Sequence, residues 1–63
     1  MNYKKLVKEL REKLIVTQVE LSDILGVSFA SINRWETGKH EPTTKTKRKI
    51  VKLCKENGIS LEE

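Results

Sequence analysis

The sequence predicts an all-α fold, a compact bundle of four helices. Apolar residues recur every three or four positions along most of the chain, which is the spacing of one helix face, and no segment alternates with the two-residue period of a strand. Glycines follow these segments and serine or threonine precedes most of them, as at helix ends and starts. Because 63 residues suffice for one small domain only, we expect residues 1–63 to form a single domain.

The positive charge of the chain is unevenly distributed. The net charge is +4, and residues 33–57 carry eight basic and three acidic side chains. A basic surface suits an anionic partner such as nucleic acid, although it also occurs as ordinary solvated surface. No apolar run approaches the roughly 20 residues of a membrane span, so we predict a cytoplasmic protein without a membrane partner.

Candidate catalytic and metal-binding groups are sparse. The chain has one histidine, His40, and one cysteine, Cys54, which form neither a spaced metal site nor a nucleophilic constellation. Its acidic residues fall mostly on polar helix faces. We therefore predict that the protein is not an enzyme, holds no metal or other cofactor, and has no small-molecule ligand.

The first helix is predicted over residues 2–14. Lysine and glutamate occupy its polar faces, and apolar residues at helical spacing form a stripe that should face the core. The stripe consists of Tyr3, Leu6, Val7, Leu10 and Leu14.

Two short helices follow. Thr17 and Glu20 form the pattern of a capping box, in which hydroxyl and carboxylate bind amides at a helix start, so the second helix should begin at Gln18. It should end at Gly26, which adopts a left-handed conformation without strain. Ser28 then offers the N-cap of a third helix over residues 29–37.

The fourth helix follows a loop that contains Pro42. Either Thr43 or Thr44 can cap its start, and its end is predicted at Gly58. Its apolar face consists of Ile50, Leu53 and Cys54. Ser60 and Glu63 resemble the opening of a fifth helix that the sequence does not continue.

The two short helices form a helix-turn-helix pattern over about residues 18–37. The residues expected to pack inward are Leu21, Ile24, Leu25, Val27, Ile32 and Trp35. This arrangement leaves Phe29, Ala30, Asn33 and Arg34 on the outward face of the third helix. In a major groove, Phe and Ala can contact thymine methyl groups, Asn can bind adenine and Arg can bind guanine. Alternatively, Phe29 packs on a neighbouring helix.

A family resemblance extends over residues 3–59. The residues that carry it are Thr17-Gln18-Val19-Glu20-Leu21, Leu25-Gly26-Val27-Ser28, Ile32-Asn33-Arg34-Trp35-Glu36-Thr37-Gly38-Lys39 and Pro42. They resemble the Cro and lambda-repressor type of helix-turn-helix protein, the XRE family. The resemblance implies a lambda-repressor-like bundle, here a truncated five-helix one, in a bacterial, phage or plasmid transcriptional regulator. Such a repressor reads double-stranded DNA with its third helix, usually as a dimer on a palindromic operator.

The resemblance also implies roles for individual residues, and it has two departures. Arg11 and Glu36 match a structural salt bridge between the first and third helices. The positions that match contacts with the DNA backbone are Thr17, Gln18, Ser28, Ser31, Lys39 and His40. Ser22 stands where the family usually has alanine, and the fifth helix is essentially missing.

Cations at the start of the fourth helix indicate DNA binding independently of the family resemblance. Lys45 and Lys47 lie where the helix macrodipole favours anions, so their charge opposes helix stability unless an external anion compensates it. A phosphate backbone would do so, which makes both residues candidate backbone contacts. Ordinary solubilising charge is the alternative.

A second function and an oligomeric state complete the predictions. The same fold could serve as a protein-interaction or antitoxin-like adaptor module, with Phe29 and Trp35 as apolar anchors. Because most apolar side chains belong to the core, little surface is left for a free dimer. We expect a monomer in solution and a homodimer that forms on DNA.

Overall fold

A computed structural model describes residues 2–61 of the chain, and within that range it is all-helical and contains no strand. The all-α prediction is therefore confirmed. The four helices are α1 (Tyr3–Leu14), α2 (Gln18–Leu25), α3 (Phe29–Glu36) and α4 (Thr44–Glu56). None of these helices is long and apolar enough to cross a membrane.

Each helix begins at a polar cap that the sequence places there. Asn2 accepts a hydrogen bond from the Lys5 amide at 3.2 Å, so α1 begins at Tyr3, one residue later than predicted. Thr17 and Glu20 form the predicted capping box. Ser28 caps α3. At the start of α4 the cap is Thr43, and Thr44 is the first helical residue.

A left-handed residue follows each helix within two residues, and one of these residues is unusual. Gly26 ends α2 with φ 69°. At the end of α1 the same position is Ile15, with φ 56°. A β-branched side chain disfavours this conformation. Ile15 is 89% exposed, so packing does not compensate for the strain.

All four helices contribute to one core. Helices α1 and α2 each pack against both α3 and α4. Its buried apolar residues are Leu6, Val7, Leu10, Leu21, Leu25, Ile32, Trp35, Ile50 and Cys54. Burial raises the pKa of the Cys54 thiol, which therefore stays protonated at neutral pH. Ser22 is buried, and its hydroxyl donates to the Val19 carbonyl at 2.6 Å.

The prediction of one core residue, Ile24, is wrong. Ile24 is 51% exposed, whereas Leu21, Ser22 and Leu25 are buried. Because successive helical residues are about 100° apart, a stripe through these three residues turns Ile24 away from the core. Val27 and Leu53 are only partly buried at its edge.

The chain after α4 continues without another helix as far as the structure describes it. Ile59 and Leu61 pack against the core and are partly buried. The predicted opening of a fifth helix extends to Glu63, and its last two residues lie outside the described range.

Candidate nucleic-acid interface

Helix α3 has two chemically different faces. Ile32, Trp35 and Glu36 are buried on the inner face. The outer face presents Phe29, Ala30, Asn33 and Arg34, all of them exposed. The helical period explains the division, because positions 32, 35 and 36 share one side of the helix. The four outward residues predicted from the sequence therefore lie together on one surface.

The outer side chains of α3 are available to a partner. Phe29 is 49% exposed, so about half of its surface is open to a partner and the rest is covered by the protein. The side chains of Asn33 and Arg34 form no hydrogen bond or ion pair with any other residue of the range 2–61. They offer an amide and a guanidinium with unused donors.

The inner position of Trp35 excludes it as a surface anchor. Its side chain is 6% exposed and belongs to the core cluster. The prediction that Trp35 anchors a protein partner in the adaptor alternative is therefore wrong. Its spacing of three residues from Ile32 places both on the inner stripe.

The turn between α2 and α3 is held from α4. Gly26 provides the left-handed residue, and the Val27 amide donates to the Ser22 carbonyl at 2.9 Å. The Lys49 Nζ donates to the Leu25 carbonyl at 3.3 Å. This ammonium lies at the C-terminal end of α2, where the macrodipole favours a cation. Sequence reasoning missed this role, because the partner is 24 residues away and no local signal links the two.

The start of α2 has backbone amides that are free to donate hydrogen bonds. Thr17 Oγ1 accepts from the Glu20 amide at 3.1 Å, and the Thr17 amide donates to Glu20 Oε1 at 2.9 Å. The amides of Gln18 and Val19 have no partner within residues 2–61. Free amides at a helix start can bind an anion, and the Thr17 hydroxyl hydrogen can also donate.

The start of α3 is similar, with a pair of serines. Ser28 Oγ accepts from the Ser31 amide at 3.2 Å, and the two hydroxyl oxygens lie 3.0 Å apart. Ser28 is exposed and Ser31 partly buried. One hydroxyl hydrogen is used between them, which leaves the other free to donate outward.

The loop after α3 carries Lys39 and His40, which are both exposed. His40 lines a shallow recess with Tyr3, Trp35 and Glu41. No group of three His, Cys, Asp or Glu side chains in residues 2–61 is arranged to hold a metal ion.

The two candidate cations at the start of α4 differ. Lys45 is exposed and has no ionic partner within residues 2–61. Lys47 lies 3.5 Å from Glu41 Oε2, and its Nζ is 5.0 Å from the centroid of the Tyr3 ring. The protein itself therefore compensates part of the Lys47 charge, a contact that the sequence pattern did not indicate. Lys45 has no such compensation.

Arg11 and Glu36 form the salt bridge that the resemblance implies. Arg11 Nε donates to Glu36 Oε2 at 2.9 Å, and its Nη2 donates to Oε1 at 3.0 Å. The Glu36 side chain is 6% exposed and that of Arg11 27%. Hydrogen bonding to Glu36 raises the pKa of Arg11. The pair ties α1 to the end of α3 and is part of the structural frame behind the outer face.

Comparison with known proteins agrees with this arrangement. The family model named HTH_3, described as helix-turn-helix, matches residues 7–63. The chain belongs to the XRE family of Cro and lambda-repressor type proteins. Searches of curated proteins and of solved structures found no significant match. XRE proteins bind DNA and are typically not enzymes, which supports a DNA-binding function of the transcription-regulator type and DNA as the partner.

Proposed function

We propose that α3 enters the major groove of double-stranded DNA and reads its sequence. The observation that carries the proposal is the outer face of α3, where Phe29, Asn33 and Arg34 are exposed and the two polar side chains have no partner in the described chain. A solvated surface gains nothing from an exposed phenyl ring, whereas a major groove offers thymine methyl groups to it.

Each outer side chain has a base edge that it can recognise. Arg34 can bind guanine O6 and N7 with two hydrogen bonds, and Asn33 can bind adenine N6 and N7 in the same way. Phe29 and Ala30 provide apolar contact with thymine. Direct readout would therefore come from four residues within two helical turns.

Backbone contacts would surround this reading surface. The free amides and hydroxyls at the start of α2 and α3 suit phosphate oxygens, and the lysines supply charge. The proposed backbone contacts are Thr17, Gln18, Ser28, Ser31, Lys39, His40, Lys45 and Lys47. Lys45 contributes more than Lys47, because Glu41 and Tyr3 already bind Lys47.

The biological role that follows is that of a cytoplasmic repressor in which residues 1–63 act as one DNA-binding domain. A bound regulator of this size blocks a promoter by occupying it. The free protein would be a monomer, because a standard stable interface needs about 800 Å² per partner and the large apolar side chains are mostly in the core. Two copies would pair on half-sites about one helical turn apart.

Selection of bound sequences from random duplex DNA tests the proposal. We expect a recovered motif with two half-sites, and an affinity for it that falls steeply with salt concentration as counterions are released. Recovery of no motif, together with salt-independent binding, would contradict it. Sedimentation equilibrium on the free protein tests the assembly, where a tight dimer without DNA would contradict the monomer.

A further inference from the structure

A second surface lies on the outer side of α4, next to the start of α1. It is an open recess of about 490 Å³. Apolar groups of Tyr3 and Val51 line it, and cations surround them. The cations are Lys47, Arg48, Lys52 and Lys55. We call these six residues the α4 recess.

The charge of α4 is far from balanced. The helix Thr44–Glu56 contains six lysine or arginine residues and a single acid, Glu56. That acid lies four residues after Lys52, and both also line a different recess. The two side chains form no ion pair within residues 2–61. Lys47 and Lys49 have partners elsewhere in the protein.

The remaining cations of the α4 recess form a row along one side of the helix. Arg48, Lys52 and Lys55 follow one another at spacings of four and three residues, so they are neighbours on the helix surface. None of them forms an ion pair within residues 2–61. Like charges at these spacings destabilise a helix by about 0.2–0.5 kcal/mol per pair. An anionic partner would remove this repulsion.

The apolar part of the recess is already formed. The Lys47 ammonium lies over the Tyr3 ring and also contacts Glu41, and the ring lines the recess together with Val51. A cation–π contact of this kind restricts the ring orientation. The recess therefore combines an apolar site between Tyr3 and Val51 with a row of three cations that form no ion pair in the described chain.

We propose that the α4 recess binds an acidic amphipathic segment of another protein. An apolar side chain of that segment would lie between Tyr3 and Val51, and its carboxylates would face Arg48, Lys52 and Lys55. Helix-in-groove recognition has this form, with anchors spaced by three or four residues. A sugar-phosphate backbone would use only the cations and leave the apolar part of the recess uncovered. The inference does not depend on DNA binding by α3.

A synthetic peptide of about 16 residues, long enough to form a helix, is the probe. It carries glutamates along one stripe and leucines along another, and a second peptide of the same composition has its sequence scrambled so that neither stripe exists. Amide NMR titration of the intact protein should shift the signals of Tyr3, Val51 and Lys52 with the striped peptide. Equal affinity for the scrambled peptide would overturn the proposal.

Two double variants separate the recess from general charge. Lys52→Glu with Lys55→Glu should weaken binding of the striped peptide at least tenfold. The control, Lys5→Glu with Lys8→Glu, makes the same change of charge on the exposed face of α1. It should change the affinity for the striped peptide less than threefold. Circular dichroism checks that both remain helical, and Val51→Ser provides a second variant without a change of charge that should also weaken binding. The Lys52 and Lys55 variant could instead weaken binding of a random DNA duplex tenfold and reduce peptide binding no more than the control variant does. That result would mean that this surface binds nucleic acid, and it would overturn the proposal.

Discussion

The inner and outer faces of α3 differ in what their side chains do for the protein. On the inner face Ile32 and Trp35 are buried, and Glu36 is held by Arg11. On the outer face the side chains of Asn33 and Arg34 have no partner among the described residues, and Phe29 is half exposed. One helix of eight residues therefore carries a buried structural face and an exposed face, and we propose that the exposed face reads DNA. Substitutions on the inner face should change stability, and those on the outer face should change binding alone.

The largest effect is expected from Trp35→Ala on the inner face. Removing a buried aromatic side chain lowers the free energy of unfolding by about 3–5 kcal/mol, which for a domain of this size is most of its stability. Thermal melting followed by circular dichroism measures the change. An unchanged melting temperature would mean that the two faces are assigned the wrong way round.

Arg11→Met tests the polar end of the inner face. It leaves the Glu36 carboxylate, 6% exposed, without its cation, and we expect a loss of about 2 kcal/mol in the free energy of unfolding because Arg11 is itself partly exposed. Urea unfolding measures it. Arg11→Met combined with Glu36→Gln removes the isolated charge and should lose less than the sum of the single changes; strictly additive losses would contradict a direct interaction.

Arg34→Ala and Lys45→Ala test the outer face. Arg34→Ala should lose about 1–3 kcal/mol of binding on the selected site and relax discrimination at one base pair, whereas Lys45→Ala should weaken all duplexes alike and lower the salt slope by about one. Both residues are exposed, so the melting temperature should not change. If Arg34→Ala weakens specific and random DNA equally, Arg34 is a backbone contact.

Ile15→Gly gives the smallest effect and the opposite sign. It relieves a left-handed β-branched residue whose side chain is 89% exposed, while glycine adds freedom to the unfolded chain. We expect a net gain of about 0.5 kcal/mol in the free energy of unfolding. Ile15→Ala keeps the left-handed strain and is the matched control. A glycine variant less stable than the alanine variant would show that Ile15 is not strained.

The boundaries of α2 and α3 could be predicted from the sequence because the signals for helix ends are local. Thr17 with Glu20, Gly26 and Ser28 each act within a few residues, and the structure places helix ends at all of them. The core was less certain, because the helical period admits Ile24 as readily as Ser22. Only the packed structure distinguishes the two.

Contacts between distant segments could not be predicted from residue patterns. Lys49 binds the Leu25 carbonyl and Lys47 lies over Tyr3, and each pair joins helices that are far apart in sequence. The Arg11–Glu36 pair was expected only through the family resemblance. Ile15 in a left-handed conformation had no signal, since that position favours glycine or asparagine.

An NMR titration with a selected duplex tests the division of α3 most directly. Side-chain signals of Asn33 (Nδ2) and Arg34 (Nε) report on the outer face, and the indole Nε1–H of Trp35 reports on the inner face. We predict large shifts for Asn33 and Arg34 at stoichiometric DNA, and little change for Trp35, which stays buried when the protein binds as a rigid body. Unshifted Asn33 and Arg34 signals, with the changes confined to α4, would contradict the reading of DNA by α3.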